Sequence, residues 1–217
     1  MQERQALTEA LIARWQPEAL LVYGSFADGS RDALSDFDAL VITDKPAPLR
    51  DQGELLGRRL DLWFLTPDAA AEIDPADWPQ LYHALPVYDP KALGAKLIAS
   101  VREALDARPL PSPRQNADSL DWLDRMLARA ALPTPEGRYR LLWLLTDSLE
   151  IWCDLSGNRC FGPKKSLALL REKDPTGFAL YDAALREATV ETASAWIAHL
   201  HDLFREESPG NPAQRTP

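Results

Sequence analysis

Long apolar runs are missing from this sequence. No stretch approaches the roughly 20 consecutive apolar residues that a membrane-spanning helix requires. The opening residues, Met1-Gln-Glu-Arg-Gln5, lack the basic start and apolar core of a secretory signal. No membrane association is expected. Cysteine is nearly absent: Cys153 and Cys160 are the only two, too few for a disulfide framework or a zinc site. A reduced, cytoplasmic setting is the expectation. The three histidines, His83, His199 and His201, show no ligand spacing with one another or with the cysteines, and read as structural or surface residues. Positive charge is also in short supply. The chain has 24 Lys and Arg against 33 Asp and Glu, a net charge of −9. The first 93 residues carry most of that excess, with eight basic and sixteen acidic side chains. A long nucleic acid is held through many Lys and Arg contacts to phosphate, and no basic stripe is present to make them. A small acceptor, a cationic one included, fits the charge better.

What the chain does have is 46% hydrophobic residues over 217 positions, enough for one large domain or two small ones. The apolar patterning changes character along it. Glu3–Trp15 spaces Leu7, Ala10, Leu11 and Trp15 as a one-sided helix, closed by Pro17. Strands are predicted over Ala19–Tyr23, Phe37–Ile42, Arg59–Leu65 and Ala84–Tyr88. A helix is predicted over Leu49–Gly57, and another from Thr66-Pro67-Asp68, a capping Thr followed by Pro and an acid. From Lys91 onward no strand pattern recurs. Helices are predicted over 91–107, 117–131, 136–155, 163–172, 177–187 and 190–206, with the proline-rich segment 108–114 as a connection. A small mixed sheet followed only by helices is an α+β head joined to an all-α helical bundle. The expected domains are residues 1–93 and 94–206, with 207–217 as a loose tail.

One stretch concentrates chemistry. Residues 20–44 run from an apolar strand into Gly24-Ser25, then a polar turn, then Ser35-Asp36-Phe37-Asp38 and a second apolar strand. Alternate residues of a strand share a face, so Asp36 and Asp38 project side by side. At roughly 5 Å and reduced dielectric their repulsion amounts to a few kcal/mol, which a hard divalent cation would turn into coordination. Gly24 lets backbone approach a ligand closely. A helix starting near Phe26 would turn its free N–H groups toward an anion such as phosphate.

Gly24-Ser25, the spacer, and Ser35-Asp36-Phe37-Asp38 before an apolar strand resemble the signature of the DNA polymerase β-like nucleotidyltransferase superfamily. The resemblance implies a polymerase β palm-like domain in which the Gly-Ser turn holds a nucleotide triphosphate, with ATP the expected one in this chain, and the Asp-x-Asp pair binds two Mg²⁺ ions. It also implies a third metal-binding carboxylate on a later strand, a role that suits Asp61 in Arg59-Leu-Asp61-Leu-Trp-Phe-Leu65. Ser35 falls within the nucleotide-binding motif. Many members carry a basic residue shortly after the Gly-Ser; here Asp28 stands near that place, and either Arg31 substitutes or the triphosphate is held differently.

The helical half is similar in pattern to the domains that accompany the kanamycin and streptomycin adenylyltransferases, in which a glutamate can act as base toward an acceptor hydroxyl. Residues 136–155 are apolar over most of a helix's circumference, and Trp143, Asp147, Glu150 and Asp154 lie along one narrow stripe. A solvated face accounts for such a stripe as well as a cleft does. Of its acids, Glu150 is the expected general base, with Asp147 the other choice. Pro163 opens a helix with Lys164 and Lys165 in its first turn, where cations oppose the helix dipole by on the order of half a kcal/mol each. Nearby acids or a nucleotide phosphate would compensate.

The reading is transfer of a nucleoside monophosphate onto a hydroxyl of a small molecule, an antibiotic among the possibilities, by a monomer or homodimer. The alternative within the same superfamily is a minimal nucleotidyltransferase of the antitoxin type that modifies a partner protein. Its HEPN-type RNase partner carries Arg followed closely by His, a motif absent here.

Overall fold

The structure is a computed structural model that describes residues 2–207. It has an α+β architecture, and the chain divides into two compact units at Arg108 and Pro109. The first unit contains a mixed six-stranded sheet made from β1 (Ala19–Val22), β2 (Phe37–Ile42), β3 (Arg50–Asp51), β4 (Glu54–Leu55), β5 (Arg58–Leu65) and β6 (Leu85–Tyr88). The strand order is β3-β5-β2-β1-β6, with β4 paired to β5. β1 pairs antiparallel with β2 and β6, whereas β2 and β5 run parallel in register. Pro86 is accommodated because β6 is an edge strand that joins β1 through an irregular register.

Period-2 alternation sorts the side chains of this sheet. Leu20, Val22, Phe37, Ala39, Val41, Leu60, Leu62 and Phe64 form one core with Leu7 and Leu11 of α1 (Gln2–Trp15) and Phe26 of α2 (Ser25–Asp28). The opposite face carries Leu21, Tyr23, Asp38, Asp61 and Trp63. Part of it is covered by α4 (Leu93–Asp106), where a Cβ at Gly94 would collide with the Leu21 side chain. This packing keeps α4 with the sheet. The expected first domain ended at residue 93, whereas the compact unit runs on to Arg108. α3 (Pro67–Glu72) begins as anticipated, its Thr66 hydroxyl capping Ala69 N at 3.1 Å.

The helix expected over Leu49–Gly57 does not form. The segment is extended and supplies β3 and β4, both laid antiparallel on β5. Gly57 at φ 75° and Leu56 at φ 54° make the turn back into β5, left-handed conformations that stop a helix. Backbone pairing to β5 then outweighs the weak helical pattern.

The second unit is all-helical among the described residues: α5 (Pro113–Ala130), α6 (Pro135–Leu155), α7 (Pro163–Lys173), α8 (Pro175–Glu187) and α9 (Val190–Glu207). Each of α5 to α8 opens on Pro, where a missing N–H costs nothing. Ser112 and Gln115 form a capping box before α5, and Thr134 caps α6. The core is built from Leu120, Leu123, Leu144, Leu145, Trp152, Trp196 and Leu200, among others. Its polar groups are satisfied: Trp196 Nε1 donates to Ser148 Oγ at 2.9 Å, and the Tyr181 hydroxyl donates to Leu145 O at 2.6 Å. Asp174 caps α8 and accepts from Trp152 Nε1, with His199 Nε2 at 2.7 Å. His199 is therefore a structural residue here, and His201 lies against Asp124 at 3.1 Å. Glu207 closes α9; residues 208–217, the rest of the expected tail, lie outside the described residues.

Candidate active site

The site is built where β1 turns toward α2. Gly24 has φ 63° and ψ −151°, a conformation disfavoured for residues with a Cβ. A Cβ there would also collide with Asp38 Oδ2. Backbone geometry and close approach therefore each demand glycine, and together they place the Gly-Ser turn directly against the Asp38 carboxylate. The turn closes tightly, with Gly24 O accepting from Ala27 N at 3.1 Å and Asp28 N at 3.3 Å. Ser25 is the first residue of α2, and Gly29 ends the helix in a left-handed conformation.

Asp38 and Asp61 are register partners on the parallel pair β2 and β5, about 4.8 Å apart as adjacent strands are, on the same face. Asp36 lies two residues before Asp38, just outside the strand. The Asp38 carboxyl is half-buried, and its pKa is pushed up to about 6, first by burial and then by the negative charges of Asp61 and Asp36. Tyr23 lies beside the pair, its N–H donating to Asp38 O at 3.1 Å. Burial, followed by the charges of Asp38 and Asp61, raises the pKa of its hydroxyl and keeps it protonated.

Two arginines answer the remaining carboxylates. Arg50 grips Asp61 with both arms, Nε to Oδ1 at 2.7 Å and Nη2 to Oδ2 at 2.8 Å, the fork geometry of a strong charge-assisted pair. Its guanidinium also stacks over Trp63, 5.0 Å from the ring centroid, and the pairing raises its own pKa. Arg59 Nε is 3.7 Å from Asp36 Oδ1 in an exposed, looser pair. Arg58 has a scaffolding position. Its Nη1 donates to the carbonyls of Asp32, Ala33 and Ser35, and its Nη2 bonds Glu3 at 2.7 Å. It ties the polar turn before Asp36 to α1.

Among the described residues, no group of three or more His, Cys, Asp or Glu side chains is gathered to hold a metal ion. The local reason is visible: both Asp61 oxygens are engaged by Arg50. Gly24, Ser25, Asp36, Asp38 and Asp61 are brought to one edge of the sheet. Arg31 belongs to the same unit but is turned to Glu3 Oε2 at 3.1 Å and lies over the Phe26 ring. The Ser35 hydroxyl donates to Asp32 Oδ1 at 3.0 Å and accepts from Asp32 N, closing its own turn.

Lys164 and Glu150 lie in the helical unit. Lys164 is in the first turn of α7 and is exposed. Glu150 lines a groove of about 360 Å³ with Asp118, Ser119, Trp122, Asp147, Ile151 and Asp154. Burial and the charge of Glu150 raise the pKa of Asp154. Asp147 accepts from Trp143 Nε1 at 2.7 Å, so that acid is partly engaged. α6 is less enclosed than its apolar content suggests, because Leu142, Trp143 and Tyr139 are exposed.

Sequence reasoning missed Tyr23, Arg50 and Arg58. Tyr23 read as an ordinary strand residue, although it immediately precedes Gly24. Arg50 was concealed by the helical reading of its segment. For Arg58 the signal was present: it begins the strand that carries Asp61.

No protein-family model matches this chain, and no curated protein matches it. Among solved structures it is similar to a nucleotidyltransferase-like protein from Exiguobacterium sibiricum 255-15. The TM-score is 0.41 and the identity 16%, over 94% of this chain and 75% of that chain. The likeness is a distant one.

Proposed function

We propose that this chain is a Mg²⁺-dependent nucleotidyltransferase that moves a nucleoside monophosphate, AMP from ATP, onto a hydroxyl of a small molecule. The observation that carries the reading is the Gly24 turn pressed on Asp38, with Asp61 in register beside it. The donor set suits hard cations. Asp38 and Asp61 are register partners and Asp36 lies two residues before Asp38; the Asp38 pKa is raised by burial and then by the charges of the other two, and Asp61 is held by Arg50, which a metal would have to displace. Asp36, Asp38 and Asp61 would hold two Mg²⁺ ions, which on binding supply charge for the attacking and leaving oxygens.

The remaining roles fall to the chain's own groups. Gly24 and Ser25 seat the polyphosphate by close backbone approach, with Arg31 and Ser35 as further phosphate ligands. Arg31 and Ser35 have local partners that they would exchange for phosphate. The acceptor oxygen attacks the α-phosphorus as the bond to pyrophosphate breaks. The acceptor proton passes to a carboxylate.

Binding to the native state raises stability by mass action, about 2.7 kcal/mol at a hundred times Kd. ATP with Mg²⁺ is therefore expected to raise the melting temperature of the wild-type chain, and not that of Asp38→Ala. Aminoglycosides and lincosamides, added in turn, probe the acceptor. Turnover of any nucleotide by a correctly folded Asp38→Ala protein would overturn the assignment.

A further inference from the structure

The outer face of α5 and α6 carries aromatic side chains that the helical core leaves uncovered. Tyr139 and Trp143 of α6 are 64% and 44% exposed, and Trp122 of α5 is partly buried beside them. The rings touch in a row: Trp122 and Trp143 have centroids 5.9 Å apart, and Tyr139 and Trp143 6.0 Å. A single exposed apolar residue is ordinary, but a contiguous patch rimmed by polar groups marks an interaction surface. Trp and Tyr are also the side chains that anchor such surfaces.

Charge is divided between the two ends of this face. Asp118 of α5 lines a groove with Asp147, Glu150 and Asp154 of α6. Past the tryptophans, Arg140 Nη1 donates to Met126 Sδ at 3.7 Å, so the two helices run in opposite directions. Exposed Arg125 and Arg129 lie at that second end, three and seven residues after Trp122 and on its stripe. The acid on the same end of α6, Glu136, is paired with Arg140 at 2.6 Å. One end is therefore acidic and the other basic, with the rings between them. The arrangement is balanced about the rings. Asp118 stands four residues before Trp122 and Arg125 three after it, while Arg140 stands three before Trp143 and Asp147 four after it.

We propose that this chain associates with a second copy of itself through the α5–α6 face, with Trp122, Tyr139 and Trp143 packed at the centre and the charged ends exchanged. A two-fold axis crossing both helices at the level of the tryptophans lays Asp118 of each copy over Arg125 of the other. It likewise lays Asp147 of each over Arg140 of the other. Such an interface is isologous, each contact occurring twice. An axis along the helices would set acidic end on acidic end, which like charges oppose. Two helices about 30 Å long and about 10 Å across offer a face on the order of 600 Å², somewhat below the roughly 800 Å² per partner of a standard interface. The dimer is therefore reversible rather than permanent. No residue of the sheet unit takes part, so this association stands apart from the proposed transfer reaction.

Sedimentation velocity of the full chain, from low-micromolar to submillimolar concentration, tests the association. The wild-type chain is expected to pass from monomer to dimer, with a dissociation constant that rises with salt as exposed charges are screened. Trp143→Ala is expected to raise that constant at least tenfold, as loss of an aromatic anchor does. Asp118→Arg and Arg125→Asp are each expected to raise it several-fold, because each sets like charges against one another. The double variant carries both changes in every copy and restores the pair in reverse, so dimerisation is expected to return. All four positions of change lie at the surface, and circular dichroism with thermal melting checks that each variant keeps the wild-type fold. A chain that stays monomeric throughout would overturn the proposal. So would a dimer indifferent to Trp143→Ala, or single charge reversals that the double variant does not rescue.

Discussion

At the scale of single residues, the ionised form of Asp38 carries a cost from burial and from the charges of Asp61 and Asp36. Its carboxyl is raised to about 6 by burial and by two like charges. An acid whose folded pKa is raised binds its proton more tightly in the native state, so its favourable contribution is complete below the ordinary carboxylate range. The contribution is lost as pH climbs from about 4 to about 6. Above that window the ionised group opposes folding. Asp38→Asn is therefore expected to make the metal-free protein more stable than wild type at pH 7.5, with the gap closing toward pH 4. Asp38 is only half-buried and solvent screens it, so about 1 kcal/mol is a realistic size. Urea unfolding of both proteins in chelator at the two pH values measures it, and a gap that grows on acidification would contradict the argument. Gly24, Asp36, Asp38 and Asp61 were legible in the sequence because a glycine at a strand end and acids breaking apolar alternation have few other physical justifications. Tyr23 was not, because a tyrosine ending an apolar strand fits any core.

At the scale of elements, the most informative departure is the segment 49–57. Its composition allows a helix, and only pairing with β5 makes it a strand; strand pairing of this kind is set by partners distant in sequence, which periodicity does not register. The consequence is chemical. In a strand opposite Trp63, Arg50 falls on the same face as Asp61 and closes on it. Arg50 and a metal ion would then compete for one carboxylate. Arg50→Gln is expected to destabilise the metal-free protein slightly, because solvent screens a pair this exposed. The same substitution is expected to tighten Mg²⁺ or Mn²⁺ binding several-fold in calorimetry. Unchanged or weaker metal binding in that variant would mean that Arg50 supports the site rather than shielding it.

At the scale of the whole molecule, the chain holds two separate cores joined at Arg108 and Pro109. The change of texture at Lys91 announced a helical half, yet the boundary was harder to read, because α4 is a helix that belongs to the sheet. Its allegiance rests on Gly94 fitting against Leu21, a contact between residues 73 positions apart that no local pattern reveals. The helical unit has the means of independent folding: about a hundred residues, within the range of autonomous domains, two fully buried tryptophans, and capped helix starts. Residues 109–217 expressed alone are expected to be helical by far-UV dichroism and to unfold cooperatively, with stability of roughly 5–10 kcal/mol. Trp152 and Trp196 should give a near-UV signal that disappears in the same transition. Leu144→Ala, which empties a fully buried position, is expected to lower that transition by about 2–5 kcal/mol in the fragment and to leave the sheet unit's own unfolding unchanged in the intact chain. A fragment with helical dichroism but no near-UV signal and no cooperative melt would show that the helical core needs the sheet unit to become ordered.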